Sequence, residues 1–239
     1  MKNDKKFSKP ITAAELDVIL NQDPDYLKRK EKQEKHFQAL AEHFAQAELP
    51  LVESLNDAGI SVKSIWDLVN TKQSHPHAIP VLIEHLRRPY PFRIREGIAR
   101  ALTVKGAGEA AYLVLVNEFK TQTDSTDASQ HGFKWALGNA ISIVATKNHF
   151  DEVVELIRDK RHGKTRDMML LRLPSLDRNR AIDVLVESLN DEEISGQAVV
   201  ALGKLKCQKA RTAIEHVLTH HPQQWVRKEA KKALGKLNN

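Results

Sequence analysis

The sequence predicts an all-α fold, namely an α-solenoid of about five helical hairpins that follows an N-terminal helical cap. Aromatic residues make up only 5% of a chain that is 41% hydrophobic. Ala and Leu dominate the apolar positions, which suits helices packed closely through small residues. No stretch shows the alternation of a half-buried strand. In addition, one helical pattern recurs along the C-terminal part of the chain, as expected for a repeat architecture.

The N-terminal cap is predicted to span residues 1–77 and to contain helices that do not repeat, after a disordered beginning. Four helices are predicted, at residues 12–20, 24–47, 50–58 and 61–70. Thr12 opens the first helix with the spacing of a capping box. Gly59 is expected to end the third helix, and Ser61 is expected to cap the fourth helix. Residues 71–77 are predicted to be a linker.

The last helix provides the template of the repeat. Its apolar residues follow i, i+4, i+7, i+8 and i+11 spacing, which places them on one face of a helix. They are Val226, Ala230, Ala233, Leu234 and Leu237. The same pattern is anchored upstream at Ile94, Phe133, Thr165 and Ile194, with a weaker copy at Thr165. A polar insert at 121–131, predicted to be unstructured, explains the longest spacing between anchors.

Each copy is preceded by another apolar helix, so the repeating unit is a helical hairpin. These first helices are predicted at residues 78–88, 109–120, 149–160, 179–189 and 208–220. Pro and Gly in the links end one helix and allow the next to begin. The predicted hairpins are 78–108, 109–147, 148–177, 178–207 and 208–239, which together form the array 78–239. A single hairpin cannot bury both of its apolar faces, whereas a stack of hairpins can.

This pattern resembles the HEAT-like repeats of the bilin-lyase type. The resemblance rests on Val226-Arg227, Ala230 and Ala233-Leu234-Gly235, after a first helix of the type found at 78–86. It implies a right-handed α-α superhelix. It implies little about function, because this repeat serves many unrelated binding roles. Arg95, Lys134 and Arg166 occupy the position of Arg227, whereas Ser195 departs from the pattern.

The net charge of +6 is unevenly distributed along the sequence. Residues 1–48 hold nine Lys/Arg and nine Asp/Glu, and residues 49–197 hold 19 Lys/Arg and 20 Asp/Glu. Residues 198–239 hold nine Lys/Arg and two Asp/Glu, so the excess of basic residues lies in this last part of the chain. A local excess of this kind creates a field that a distant partner can feel.

The single cysteine and the N-terminal residues predict a cytoplasmic protein. With Cys207 alone, no intrachain disulfide can form, which favours a reducing compartment. Four of the first six residues are charged and no apolar h-region follows, so a secretory signal is not expected. No apolar stretch approaches the length of a membrane span. The sequence carries no indication of oligomeric state.

Cationic residues are the main candidates for binding. Lys228, Lys232 and Lys236 form an i, i+4, i+8 ridge, with Arg227 and Lys231 beside it. This ridge could contact phosphates or an acidic protein, or could be the polar outer face that a terminal repeat needs. The repeated cations form either a structural ladder of ion pairs or part of the concave groove. The candidate binding residues are Arg95, Arg100, Lys134, Trp135, Arg166, Arg172, Arg227, Lys228, Lys231, Lys232 and Lys236.

No catalytic constellation, metal site or cofactor motif is predicted. We therefore expect a non-enzymatic binding scaffold, such as an adaptor, an inhibitor or an immunity-type protein, with a protein partner at its concave face and basic C-terminal hairpin. The alternative is nucleic-acid binding, as in similarly basic HEAT-like DNA glycosylases, which need a positive cleft with aromatic residues and a carboxylate. A bilin-lyase-like accessory role is implied only by the repeat type.

Overall fold

The fold is described from a computed structural model that covers residues 11–71, 73, 75–123 and 125–237. Within these ranges the secondary structure consists of thirteen α-helices and short 3-10 segments, with no strand. This confirms the predicted all-α fold. The chain divides into two compact units, Met1–Ala47 and Glu48–Asn239.

The first unit contains α1 (Ala13–Leu20) and the beginning of α2 (Pro24–Asp57). The predicted capping box is confirmed, because Thr12 N–H donates to Glu15 Oε2 at 2.8 Å and Glu15 N–H donates to Thr12 Oγ1 at 3.3 Å. Asp23 Oδ1 accepts the backbone N–H groups of the two residues after Pro24 at 2.9 and 3.2 Å. These contacts satisfy donors that a helix start leaves without partners.

The predicted end of the long helix near Ala47 is wrong, because α2 continues through Pro50 and ends at Asp57. Proline lacks an N–H group and removes one helical hydrogen bond. However, Leu51 and Leu55 lie four residues apart on one face of the helix, and both are completely buried. Burial of a leucine side chain stabilises by about 1.5–3 kcal/mol. Two such contributions offset the cost of the proline, so the helix is not interrupted.

The turn after α2 occurs where the sequence predicted a break. Gly59 has a φ of +79°, a left-handed conformation that favours glycine. Ile60 N–H then donates to the carbonyl of Leu55 at 2.9 Å, which closes the end of the helix. The Asn56 side chain bonds both backbone groups of Val62, at 3.3 and 3.2 Å, and thereby fixes the following loop.

The next helix, α3 (Ile65–Asn70), starts later than predicted and is capped by Ser64, not by Ser61. Asp67 Oδ2 accepts the backbone N–H of Ser64 at 3.1 Å and completes a capping box. The carboxylate of Glu48 also accepts the hydroxyl of Ser64 at 3.0 Å and the N–H of Ile65 at 2.5 Å. This contact is distant in sequence, which is why the sequence pattern alone placed the cap at the wrong serine.

Five helical hairpins follow, in the order that the sequence predicted. The first helices are α4 (Ala78–Leu86), α6 (Glu109–Thr121), α8 (Phe150–Arg158), α10 (Arg178–Glu187) and α12 (Arg211–His220). The second helices are α5 (Phe92–Ala101), α7 (Ala128–Val144), α9 (Asp167–Arg172), α11 (Ser195–Leu205) and α13 (Gln224–Leu237). The anchors Ile94, Phe133, Thr165, Ile194 and Val226 are all buried.

The second helices form one layer of the second unit. Helices α3, α5, α7, α9, α11 and α13 pack in that order, each against the next. Each second helix also packs against the first helix of its own hairpin. Small residues allow close approach within this layer: a Cβ on Gly203 would lie 2.8 Å from the Cβ of Ala233. The side of the second helices that faces neither neighbour nor first helix is therefore open to solvent.

Two segments differ from the sequence-based prediction. The third hairpin has a short second helix, because the segment Lys160–Arg166 is a 3-10 element interrupted at Gly163, where φ is +54°, and Pro174 follows α9. The insert predicted to be unstructured at 121–131 is helical in part, since α6 ends at Thr121 and α7 already starts at Ala128, whereas the described residues between them are not helical. Asp127 caps α7 by accepting the N–H of Gln130 at 2.9 Å. Residue 124 of this insert lies outside the described residues.

The boundary between the two compact units differs in position from the predicted boundary between cap and repeats. The compact units meet after Ala47, whereas the sequence placed the end of the cap at residue 77. Residues 48–71 belong to the second unit because α3 packs on α5. The division into a cap and a repeat array stays a prediction. The disorder predicted for its first residues concerns positions 1–10, which lie outside the described part of the chain.

Candidate functional site

The repeated cations that follow the anchors hold the hairpins together from within. Arg95 donates to the carbonyl of Leu86 at 3.3 Å, at the end of α4. Arg166 donates to the carbonyl of Ile157 at 2.8 Å, near the end of α8. Arg227 donates to the carbonyls of His221 and Pro222, the latter at 2.8 Å, just after α12. Each arginine therefore binds carbonyl groups that the end of the preceding helix leaves without partners.

Three residues at these repeat positions also connect one hairpin to the next. Arg95 forms an ion pair with Glu118 of α6. Arg166 forms ion pairs with Asp191 at 2.8 Å and Glu193 at 3.2 Å, both on the segment before α11. Ser195, which departs from the repeat pattern, bonds through Oγ to His221 Nε2 at 3.0 Å. The ladder is thus a device for stacking hairpins.

The prediction that these cations lie on a binding surface therefore needs correction for two residues. Lys134 and Arg166 are completely buried, at 0% exposure each. Lys134 Nζ lies 5.6 Å from the centre of the Phe119 ring. Neither side chain reaches the surface, because the position directly after a buried anchor points toward the packed neighbouring hairpin. Arg95 and Arg227 are partly exposed, but their hydrogen bonds assign them to the same ladder.

A different set of positions lies on the second helices or, for Val104 and Ser175, just after the ends of α5 and α9. These residues come two, six and ten positions after the anchors, and we call them the second-helix face. They are Glu96, Arg100, Val104, Trp135, Asn139, Ile143, Asp167, Leu171, Ser175, Gly196, Val200, Lys204, Lys228, Lys232 and Lys236. All of them except Gly196 are partly or fully exposed. The repeat thus brings residues from five hairpins onto one surface.

Two of the predicted binding residues, Trp135 and Arg100, are in contact on this face. The Arg100 guanidinium lies 5.4 Å from the centre of the Trp135 ring, within the range of a cation–π interaction. Arg100 Nε also donates to Glu96 Oε1 at 2.8 Å. The ring is thereby held in place by a neighbouring hairpin and stays partly exposed. A rigid aromatic group of this kind is a typical anchor of a binding surface.

Asp167 is a titratable group of the face that sequence reasoning missed. Burial raises the pKa of its carboxyl to about 6, against the opposing effect of a hydrogen bond from Gln197. Its Oδ1 atom is buried and has no hydrogen-bond partner within the described ranges. The only sequence signal for Asp167 was its position two residues after the anchor Thr165. That position gives no information about burial of the carboxyl.

Trp225 is a second aromatic group that sequence reasoning did not place on this surface. Its ring covers Gly196, where an added Cβ would overlap the ring atoms. Trp225 is 46% exposed, and its Nε1 donates to Gln223 Oε1 at 2.6 Å. The ring therefore fills the place that a side chain occupies in other hairpins. The sequence signal that could have placed Trp225 here was Gly196, which leaves a position of the second-helix face without a side chain in the fourth hairpin.

The C-terminal end of the face is basic. Lys204, Lys228 and Lys236 are exposed, and no ion pair is recorded for them among the described residues. Lys232 pairs with Glu229 at 2.6 Å, and Lys231 is exposed beside the ridge. The predicted ridge is thus continuous with the face on the other hairpins. Arg172, the last predicted residue, is partly exposed at the end of α9 and lines a pocket described below.

Other reactive groups do not form a site within the described part of the chain. No group of three His, Cys, Asp or Glu residues is placed to hold a metal ion there. Cys207 is a free thiol and is buried. None of the described helices combines the length and apolar character that crossing a bilayer requires.

The fold and this face define the class of the molecule as an all-α protein of stacked helical hairpins with one open, mixed surface. No family model matches the chain, and comparison with curated proteins and with solved structures gives no match. The resemblance to HEAT-like repeats of the bilin-lyase type therefore stays a prediction from the sequence pattern.

Proposed function

We propose that the second unit is a HEAT-like α-solenoid that acts as a non-enzymatic binding scaffold, and that it recognises a protein partner through the second-helix face. The ordered packing of α3, α5, α7, α9, α11 and α13 supports the solenoid. In such folds one helix layer lines the extended concave surface used for binding. The observation that carries the proposal is the mixed chemistry of the face.

The chemistry of the face matches that of a protein interface. Its middle presents Trp135, Ile143, Leu171 and Val200, which are partly exposed apolar side chains. Charged groups lie at both ends, with Arg100 at one and the lysines of α13 at the other. An apolar centre with a charged rim is the usual anatomy of a protein–protein interface. Tryptophan and arginine are the residues that most often dominate its binding energy.

A second candidate function is binding of nucleic acid at the basic end of the face. Lys204, Lys228, Lys232 and Lys236 extend over two neighbouring hairpins, and the exposed ring of Trp225 lies on Gly196 in the same region. Cations near an exposed aromatic ring suit the phosphates and bases of a single strand. This binding would weaken steeply with salt. Absence of binding to a duplex and to a single strand at low salt would exclude this candidate.

Site-specific photo-crosslinking in cells tests the proposed protein partner. Asn139→p-benzoylphenylalanine places the reactive group on the second-helix face, and Leu113→p-benzoylphenylalanine places it on α6, where Leu113 is 50% exposed. We expect a defined protein adduct from position 139 and none of the same mass from position 113. Equal adducts from both positions, or none from position 139, would contradict the proposal.

A further inference from the structure

A cationic pocket lies at the C-terminal ends of three successive second helices. Its volume is about 470 Å³. Lys105 follows α5, Lys147 follows α7, and Arg172 ends α9, and all three side chains line the pocket. The remaining wall is formed mainly by residues 143–146 and 175–176. The volume falls within the range of small-molecule sites, roughly 300–1,000 Å³.

The positive charge in this pocket is not neutralised by the protein. Within the described ranges no side-chain hydrogen bond or ion pair is recorded for Lys105, Lys147 or Arg172, and no carboxylate lines the pocket. The nearest acidic residues in the sequence have other partners. Glu109 bonds to His149 at 2.9 Å, and the carboxylate of Asp177 accepts backbone N–H groups at the start of α10.

Three side chains of like charge line this pocket, Lys105 and Lys147 being exposed and Arg172 partly exposed, and an anion bound there would offset their mutual repulsion. Charge-assisted hydrogen bonds from lysine and arginine to phosphate are among the stronger polar contacts in proteins. The pocket is larger than a phosphate group needs. The side chains of Ile143, Val144 and Leu176 supply an apolar wall for a further part of the ligand.

We propose that this pocket binds the phosphate group of a small phosphorylated molecule, with Lys105, Lys147 and Arg172 as phosphate ligands and Ile143 and Leu176 in contact with its apolar body. Ile143 and Ser175 of the second-helix face line the pocket, but binding of a phosphate group there requires no protein partner, so its test does not depend on the proposed scaffold function. The site also differs from the basic ridge of α13, because its cations come from three hairpins and line one pocket, whereas those of the ridge lie along one exposed helix.

Calorimetric titration at constant ionic strength tests this assignment. The probes are inorganic phosphate, pyrophosphate, phenyl phosphate and a ten-nucleotide oligothymidylate, with sodium chloride as the baseline. We expect one saturable site for phenyl phosphate and pyrophosphate, and tighter binding of phenyl phosphate than of inorganic phosphate. Arg172→Gln and Lys147→Gln should each weaken binding about tenfold or more. Lys63→Gln, an exposed lysine elsewhere in the second unit, should leave it unchanged.

Three outcomes would overturn the proposal. The first is the absence of saturable binding for every phosphate probe beyond the chloride baseline. The second is equal binding by the wild type and by Arg172→Gln and Lys147→Gln, with circular dichroism showing that all variants are folded. The third is binding of the oligothymidylate alone, which would assign these cations to a nucleic-acid strand.

Discussion

At the scale of single residues, the most informative side chain is Arg166. Its guanidinium is completely buried and bonds the carbonyls of Gly163 and Ile157 at 2.7 and 2.8 Å. It also pairs with Asp191 and Glu193 on the next hairpin. A buried charge is tolerated only where its partners compensate for lost hydration. Arg166 therefore couples two hairpins, and its contribution belongs to stability.

Arg166→Met is expected to lower the free energy of unfolding by about 3 kcal/mol, because it leaves Asp191 and two carbonyls without their donor. Arg161→Ala is the matched control. Arg161 pairs with Asp159 at 2.6 Å, but its side chain is 88% exposed, so the unfolding midpoint should stay within experimental error. Urea denaturation measures both. Similar losses for the two variants would contradict the structural role given to Arg166.

Asp167 predicts a pH dependence of stability. Its folded pKa of about 6 lies above the ordinary value of 3.8 because of burial. The stabilisation from this group is therefore complete below about pH 3.8 and is lost as the pH rises through 6. Asp167→Asn should match the wild type near pH 4 and exceed it by about 1–2 kcal/mol at pH 8. Urea denaturation at both pH values tests this, and a gain that is larger at pH 4 would refute it.

At the scale of elements, the packing of the second-helix layer depends on small residues. Gly138 of α7 lies against the backbone carbonyl of Thr165, and an added Cβ would overlap that oxygen. Backbone cannot move aside as a flexible side chain can. Gly235 of α13 has open space around the same position. The two glycines therefore form a natural pair for testing how closely α7 approaches the third hairpin.

Gly138→Ala is expected to destabilise by about 2 kcal/mol or more, because overpacking outweighs the better helix propensity of alanine. Gly235→Ala should instead stabilise by about 0.5–1 kcal/mol, since only the propensity changes. Urea denaturation of the two variants gives both values. Stabilisation by Gly138→Ala would show that the two segments are not in contact.

The elements show which parts of the fold the sequence could predict. The hairpins were predictable because apolar residues follow each anchor at helical spacing, and all five anchors are buried. The continuation of α2 through Pro50 was not, because it depends on burial of Leu51 and Leu55 in the tertiary structure. The start of α3 at Ser64 depends likewise on Glu48, which is distant in sequence. Local signals identify helices, but long-range contacts select their ends.

The sequence could predict which candidate residues share a helix face, but it could not predict which of them are buried. The repeat places Arg100, Trp135 and the α13 lysines on one face, as periodicity implies. It could not show that Lys134 and Arg166 are buried, because their exposure depends on how closely the next hairpin packs. The pocket between Lys105, Lys147 and Arg172 was also invisible in the sequence, since these residues lie on three separate hairpins.

At the scale of the whole molecule, the two units differ in how they bury apolar groups. None of the residues from Ile11 to Ala47 is buried. Several large apolar side chains in this range are exposed, namely Ile11, Leu16, Val18, Ile19, Leu27 and Phe37. The second unit contains the whole buried core of the described residues. Stability is therefore expected to reside in the second unit.

Deletion of residues 1–47 is expected to leave the urea midpoint of the remaining chain nearly unchanged, because it removes no buried side chain from the described range. Circular dichroism of the truncated and full chains gives the comparison. A strong loss of stability would show instead that these residues cover the first hairpin, as the predicted cap would require.

The central claim is that the second-helix face binds a protein partner. The most direct test is the affinity of the partner captured by crosslinking, measured by calorimetry with purified variants that keep the wild-type melting temperature. Trp135→Ala should weaken binding by about 2 kcal/mol, roughly thirtyfold, as expected for an interface anchor. Leu113→Ala, on the exposed side of α6, should bind as the wild type does. Unchanged affinity for Trp135→Ala, or a loss confined to Leu113→Ala, would contradict the account.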